Sequence, residues 1–109
     1  MSERCIVTAV IRPMEGATAR ARAQLEELIP DVHAEPGCEF YALHESTDGA
    51  LVFVEAWETR SLWVDHIDGP VVAQMNARLE GLLASPPEVH ELIPAPAGHP
   101  IRGTLPRAS

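Results

Sequence analysis

Most of the side chains that could do chemistry in this chain lie in one stretch, residues 51–66, LVFVEAWETRSLWVDH. Residues 51–57 are rich in β-branched and aromatic residues and lack Pro and Gly, which predicts a strand. Thr59 can cap the start of a helix over residues 60–67, in which apolar residues recur at three- and four-residue spacing. One strand-to-helix unit therefore contains Glu55, Trp57, Trp63 and His66, and we expect it to form the wall of any pocket.

His66 is the candidate base of such a pocket, because the imidazole pKa is the side-chain value nearest neutrality. A helix histidine that caps a carbonyl or pairs with Asp65 is the structural alternative. Trp57 and Trp63 could stack on an aromatic substrate, although large aromatic residues at a strand end are commonly part of the core. Glu55 lies between apolar residues and needs a partner if buried, so it is either structural or a substrate contact.

Three further residues are candidates because of where they fall along the predicted elements. Tyr41 and His44 lie on a neighbouring strand and point to opposite faces, so only one of them can share the pocket. We favour His44 and retain Tyr41 as the alternative. Asn76, on a later helix, is a candidate donor to a substrate oxyanion.

The composition fits one domain and argues against two classes of partner. A chain of 109 residues suits a single compact domain. Its net charge is -8 and its eight basic residues are scattered, whereas nucleic acids and anionic membranes require clustered positive charge. No apolar run approaches a membrane span and the start MSERCIV lacks a signal-peptide pattern, so a cytoplasmic location is expected. Cys5 and Cys38 lack zinc-site spacing and are interpreted as buried thiols.

Hydrophobic periodicity predicts alternating strands and helices. The predicted strands span residues 4–12, 38–45, 51–57 and 88–93. The predicted helices span 17–33 and 60–67, and a longer helix follows the break at residues 68–70 and runs to about 83. Pro30 predicts a kink or a break before His33. Asp48-Gly49 predicts an antiparallel hairpin between the second and third strands.

The order β-α-β-β-α-β, with the second helical segment split in two, predicts a ferredoxin-like α+β fold. In this fold helices cover one face of an antiparallel sheet. The predicted strands are apolar on both faces, so we expect a homodimer in which two sheets stack. Residues 1–94 would form the domain. The Pro/Gly-rich residues 95–109 would form a tail that is either disordered or laid over a neighbouring subunit.

Three segments resemble the antibiotic biosynthesis monooxygenase domain family. Residues 34–38, AEPGC, followed by Tyr41, resemble the family segment Arg/Ala-x-E-P-G-C-x-x-Y. Residues 55–59, EAWET, resemble its E-x-W-E-S/T strand end, and His66 matches a histidine of its short helix. The resemblance covers residues 4–93. It implies a dimeric α+β barrel with a pocket between the sheet and the helices of each subunit.

The resemblance also implies a reaction, because some family members oxygenate quinols, anthrones or other polyphenols without metal, flavin or haem. We therefore expect a small electron-rich aromatic substrate, O2 as the second substrate, and no cofactor. A deprotonated phenol can pass an electron to O2 by itself. The protein then has to supply a base, donors to the oxyanion and a dry cavity.

Two departures from the family pattern bear on this expectation. The family often has a second histidine in a Ser-Pro-His run, where this chain has Gly69-Pro70-Val71. The iron-binding histidine of the haem-degrading relatives falls near Asn76, so haem chemistry is not expected. Two alternatives remain open: a non-catalytic ligand-binding or dimerisation module, and a cofactor-free isomerase.

Overall fold

The computed structural model describes residues 4–107, which form four strands and three helices. The strands are β1 (Cys5–Ile11), β2 (Cys38–Glu45), β3 (Leu51–Trp57) and β4 (Glu88–Leu92), and the helices are α1 (Thr18–His33), α2 (Arg60–Ile67) and α3 (Pro70–Leu79). The strand order is β2-β3-β1-β4, and all neighbouring strands are antiparallel. This is the ferredoxin-like α+β fold that the element order predicts.

The hairpin and the start of α2 form where the local sequence predicts them. Strands β2 and β3 pair antiparallel, with Tyr41 opposite Glu55. In the connecting turn the Asp48 carboxylate accepts a hydrogen bond from the backbone N–H of Ala50, 3.1 Å away. The Thr59 hydroxyl accepts one from the backbone N–H of Leu62 at 3.2 Å, which caps α2. Both predictions are confirmed.

The structure differs from the prediction at one break inside a helix and at one helix end. Helix α1 continues through Pro30 to His33, so the predicted break is wrong. Pro30 is exposed and lies in the last turn, where its carbonyl accepts the N–H of Ala34 and closes the helix. Helix α3 ends at Leu79, four residues early, and Gly81 with φ +81° leads the chain away. The apolar spacing continued into this turn because the residues after Gly81 also pack inward.

The core lies between the sheet and the helices. Helix α1 contributes the predicted apolar stripe, and β1 and β3 contribute alternating side chains from one sheet face. Its most buried members are Val7, Ala21, Leu25, Val32, Leu51, Phe53 and Trp57. The opposite sheet face carries a half-buried set of apolar residues on β1 and β3, namely Val10, Val52 and Val54. None of the three described helices has the length and apolar character needed to cross a membrane.

The tail folds back on its own chain. The buried Arg4 guanidinium donates to the carbonyls of Leu105, at 2.7 Å, and of Pro106. Arg4 also pairs with Glu39 at 2.9 Å, and Arg107 reaches the other oxygen of the same carboxylate at 3.1 Å. Burial strengthens the attraction between Arg4 and Glu39, because water screens a buried ion pair less than an exposed one. That the tail also covers a neighbouring subunit stays a prediction.

Candidate active site

A histidine–glutamate pair lies where the turn before β2 meets α2. His66 Nδ1 is 2.7 Å from Glu35 Oε1, and the two side chains are 5% and 20% exposed. Burial lowers the His66 pKa, an effect that the hydrogen bond and the charge of Glu35 oppose. The imidazole is therefore neutral near pH 7. In that state Nδ1–H donates to the carboxylate, so Nε2 has a free lone pair.

The Nε2 atom of His66 reaches the protein surface. It has no hydrogen-bond partner within residues 4–107, and no fully buried side-chain nitrogen or oxygen of those residues lacks a partner. Nε2 is therefore accessible to solvent or to a ligand. A carboxylate that fixes the orientation and tautomer of a neutral histidine is a common arrangement for a general base.

Two aromatic rings support the other side of the imidazole. The centroid of Trp57 lies 4.6 Å from that of His66, and the centroid of Tyr41 lies 5.4 Å away in an edge-on arrangement. Tyr41 in turn stacks on Phe53 at 4.3 Å, and its hydroxyl contacts Met75 Sδ at 3.6 Å. Burial raises the Tyr41 pKa, so its hydroxyl stays protonated. These contacts hold the His66 ring in one orientation.

Glu55 is a buried carboxyl group behind this aromatic layer, and it is 3% exposed. Its Oε1 accepts the indole N–H of Trp57 at 3.0 Å. Burial raises the pKa of Glu55 to about 7; the Trp57 bond lowers it, and the charge of Glu35 adds to the rise. Glu55 was predicted to need a hydrogen-bond partner if buried, and the indole of Trp57 is that partner. Burial similarly raises the pKa of the Cys38 thiol to about 11, so the thiol stays protonated.

A cleft opens beside the histidine–glutamate pair. It has a volume of about 170 Å³, and both His66 and Glu35 contribute to its wall. The remaining lining residues are mostly apolar, with one further carboxylate, and come from the same turn, from α2 and from the start of α3: Pro36, Leu62, Asp65, Gly69, Pro70 and Val71. A neutral histidine and an apolar wall therefore share one small cleft.

Gly37 allows the turn before β2 to approach α2 closely. Its φ is +83°, and a Cβ at this position would lie 2.4 Å from Leu62 Cδ1. We expect Gly37→Ala to destabilise the protein both through the left-handed backbone, at about 1–2 kcal/mol, and through this contact. Urea denaturation measures the loss.

Gly16→Ala is a matched control, because Gly16 has φ +82° and open space around its Cβ position. Gly37→Ala should lower the free energy of unfolding by at least about 1 kcal/mol more than Gly16→Ala does. Equal losses in the two variants would show that the close approach to Leu62 is unimportant.

The structure brings together only some of the residues predicted from the sequence. One cluster contains His66, Trp57, Glu55 and Tyr41. Trp63 is buried on α2, the helix that carries His66, and the Arg60 guanidinium lies 5.7 Å from its ring centroid. The partner of His66 is Glu35, not Asp65. Glu35 was missed as a site residue, although it is part of the AEPGC segment.

Two predicted site residues lie elsewhere. His44 is exposed on the sheet face away from the helices, so the preference for His44 over Tyr41 is reversed by the structure. Asn76 is exposed on α3 and lines a separate groove with residues 79–81 and 83–87, away from His66. Asn76 was predicted to donate a hydrogen bond to a substrate oxyanion. It does not line the cleft that His66 lines, so this position does not support that role.

Comparisons with known proteins agree with the fold. The family model for antibiotic biosynthesis monooxygenase matches residues 4–78, which include β1, the AEPGC turn and His66. A Mycobacterium tuberculosis protein named "Putative monooxygenase Rv0793" is 34% identical over 95 residues, which are 86% of this chain and 94% of that protein. The chain belongs to the antibiotic biosynthesis monooxygenase family.

Solved structures place the whole domain within the fold of the antibiotic biosynthesis monooxygenase family. The structure of Rv0793 superimposes with a TM-score of 0.78 at 32% identity, covering 91% of this chain and all of that one (100%). Protein SO0527 from Shewanella oneidensis superimposes with a TM-score of 0.74 at 25% identity, covering 85% and 94% of the two chains. The family match ends at Arg78, so β4 and the tail lie beyond the matched segment.

Proposed function

We propose that the protein is a cofactor-independent monooxygenase that oxidises a small electron-rich aromatic molecule with O2. The observation that supports this most directly is the neutral His66, which Glu35 orients at the wall of an open cleft. Membership of the antibiotic biosynthesis monooxygenase family and similarity to a protein named as a monooxygenase agree with it.

The proposed chemistry assigns a role to each residue of the pair. His66 Nε2 accepts the proton of a phenolic hydroxyl, and Glu35 stabilises the resulting imidazolium through Nδ1–H. The electron-rich phenolate then reduces O2 without help from the protein. With a hydroquinone, one oxygen atom enters the ring and the other leaves as water. The products are a hydroxyquinone and water, and the substrate supplies all the electrons.

Oxygen consumption by a metal-free sample tests this proposal. Protein treated with a chelator should consume O2 when given members of a hydroquinone and anthrone panel, and mass spectrometry should find one added oxygen atom in the product. Background autoxidation is measured with the same panel and no protein. Oxygen uptake at the background rate across the whole panel would overturn the proposal.

A non-catalytic ligand-binding or dimerisation module is the second candidate, and two observations favour it. The rings of Trp57 and Tyr41 fill the space between the sheet and His66. Val71 lines the cleft where the family resemblance places a second histidine. Ligand binding without turnover would support this reading. Isomerised product forming equally well without O2 would instead support a cofactor-free isomerase.

We also propose that the protein is a homodimer in which the uncovered sheet faces stack. Val10, Val52 and Val54 form a half-buried aliphatic surface on that face. Contacts between two such surfaces would remove apolar area from water, which is the main favourable term in association. Ile6 lies on the same sheet face as Val10 and lines a groove together with residues 103–105. The tail therefore lies at the edge of this sheet face.

Light scattering at micromolar concentration tests the dimer. The parent protein should give twice the monomer mass, and Val54→Arg should give the monomer mass because it places a charge at the centre of the proposed interface. Ile67→Arg is the control, since Ile67 is 40% exposed on the helical layer. A parent protein of monomeric mass would contradict the dimer.

A further inference from the structure

The cleft beside His66 is small enough to restrict what it can hold. Its volume is about 170 Å³. An apolar protein cavity of about 150 Å³ holds one benzene molecule. Sites for drug-sized ligands are larger, roughly 300–1,000 Å³. One aromatic ring therefore fills the space between the walls, and the further rings of a fused three-ring system would extend into solvent, without apolar walls around them.

The walls suit the faces of an aromatic ring. Pro36, Leu62 and Val71 supply apolar surface from three different elements, namely the turn before β2, α2 and α3. His66 supplies the only neutral proton acceptor among the side chains of this lining, at Nε2. A phenolic hydroxyl directed at Nε2 would satisfy its hydrogen-bonding need while the ring contacts the apolar walls.

The charge of the lining selects against one class of phenol. Glu35 and Asp65 both line the cleft, and the described lining contains no arginine or lysine. The whole chain is also acidic, with a net charge of -8. Like charges repel each other, and the repulsion is stronger near a protein surface than in bulk water. A carboxylate or phosphate on the ligand is therefore disfavoured.

From these observations we propose that the ligand of this cleft is a single-ring phenol that carries no negative charge, with its hydroxyl on His66 Nε2. This inference rests on the proposed function for the identity of the reacting group. It adds the size and the charge of the substrate: one ring, neutral or cationic. Val71 contributes to the wall that limits the size, and Asp65, together with Glu35, contributes the negative charge.

Anaerobic calorimetry measures binding separately from turnover. Hydroquinone and tyramine, which are neutral and cationic single-ring phenols, should bind. Dihydroxyanthracene, with three fused rings, and 4-hydroxybenzoate, which is anionic, should each bind at least about tenfold more weakly. Equal or tighter binding of either one would overturn the proposal, and so would failure of both hydroquinone and tyramine to bind.

Substitutions locate the effect in the cleft. Asp65→Asn should reduce the discrimination against 4-hydroxybenzoate by at least about threefold, because one repelling charge is removed. Val71→Phe should weaken hydroquinone binding at least about tenfold by filling the cleft, whereas Val72→Phe, beside it but outside the lining, should leave binding unchanged. Matching thermal denaturation curves confirm that each variant is folded. Equal effects of the two phenylalanine substitutions would contradict the assignment.

Failure of this inference is distinguishable from failure of the proposed function. If hydroquinone binds but no oxygen is consumed, the proposed ligand class is supported and the proposed monooxygenase reaction is wrong. If a three-ring quinol is bound and oxygenated while single-ring phenols do not bind, the reaction stands and the ligand class is wrong.

Discussion

His66→Gln is expected to reduce turnover of a phenolic substrate by about 10²–10⁴-fold, which is the usual contribution of a general base. Glutamine can still donate an N–H to Glu35, so the packing of the site should be kept. It lacks a basic nitrogen, and the proton of the substrate hydroxyl then has no acceptor. Oxygen uptake at saturating hydroquinone measures the loss, which should fall mainly in kcat because the variant still has the cleft.

The pH dependence of the reaction tests whether His66 is the base. Only the neutral imidazole accepts a proton, so kcat/KM should rise with pH through the His66 pKa and then level off. Because burial lowers that pKa, the midpoint should lie below 6.5. Glu35→Gln removes the negative charge that raises the His66 pKa and leaves only an uncharged amide oxygen as the acceptor, so the midpoint should move to still lower pH.

An exposed histidine provides the control for both measurements. His33 lies at the end of α1, and its Nε2 contacts only the backbone carbonyl of Tyr41 within the described chain. His33→Gln should therefore leave the rate and the pH profile unchanged. A His66→Gln variant whose turnover is within threefold of the parent would exclude His66 as the base.

Glu55→Gln is expected to stabilise the protein at pH 8 by about 3 kcal/mol relative to the parent, using about 1.4 kcal/mol per pKa unit. The pKa of Glu55 is about 7 in the folded chain, compared with an ordinary value of 4.5. Below pH 4.5 the carboxyl is protonated in both states and carries no cost. As pH rises from 4.5 to about 7, the unfolded state loses its proton first, so the parent loses stability. Glutamine stays neutral throughout and can still accept the Trp57 N–H.

Urea denaturation at pH 4.5 and at pH 8 separates this effect from other titrations. The difference in unfolding free energy between Glu55→Gln and the parent should be small at the lower pH and about 3 kcal/mol at the higher one. Glu15→Gln, in an exposed turn, should change stability by less than about 0.5 kcal/mol at both. The same difference at both pH values would mean that Glu55 is not a strained, buried acid.

The types and order of the elements followed from the sequence, because they depend on local patterns. β-Branched and aromatic residues without Pro or Gly predicted β3, the apolar stripe predicted α1, and Asp48-Gly49 predicted the hairpin. Thr59 marked the start of α2 through a capping bond that spans three residues. The end of α3 was less well predicted, since apolar spacing continues into a turn that begins at Gly81.

The composition of the site depended on tertiary structure. Both faces of the sheet are apolar, so alternation alone could not show whether Tyr41 or His44 faces the helices. Glu35 and His66 are 31 residues apart in sequence, and no local pattern links them. They meet because Gly37 lacks a Cβ and lets the turn pack on Leu62. The sequence by itself determined which side chains were available, and long-range packing decided which of them share a site.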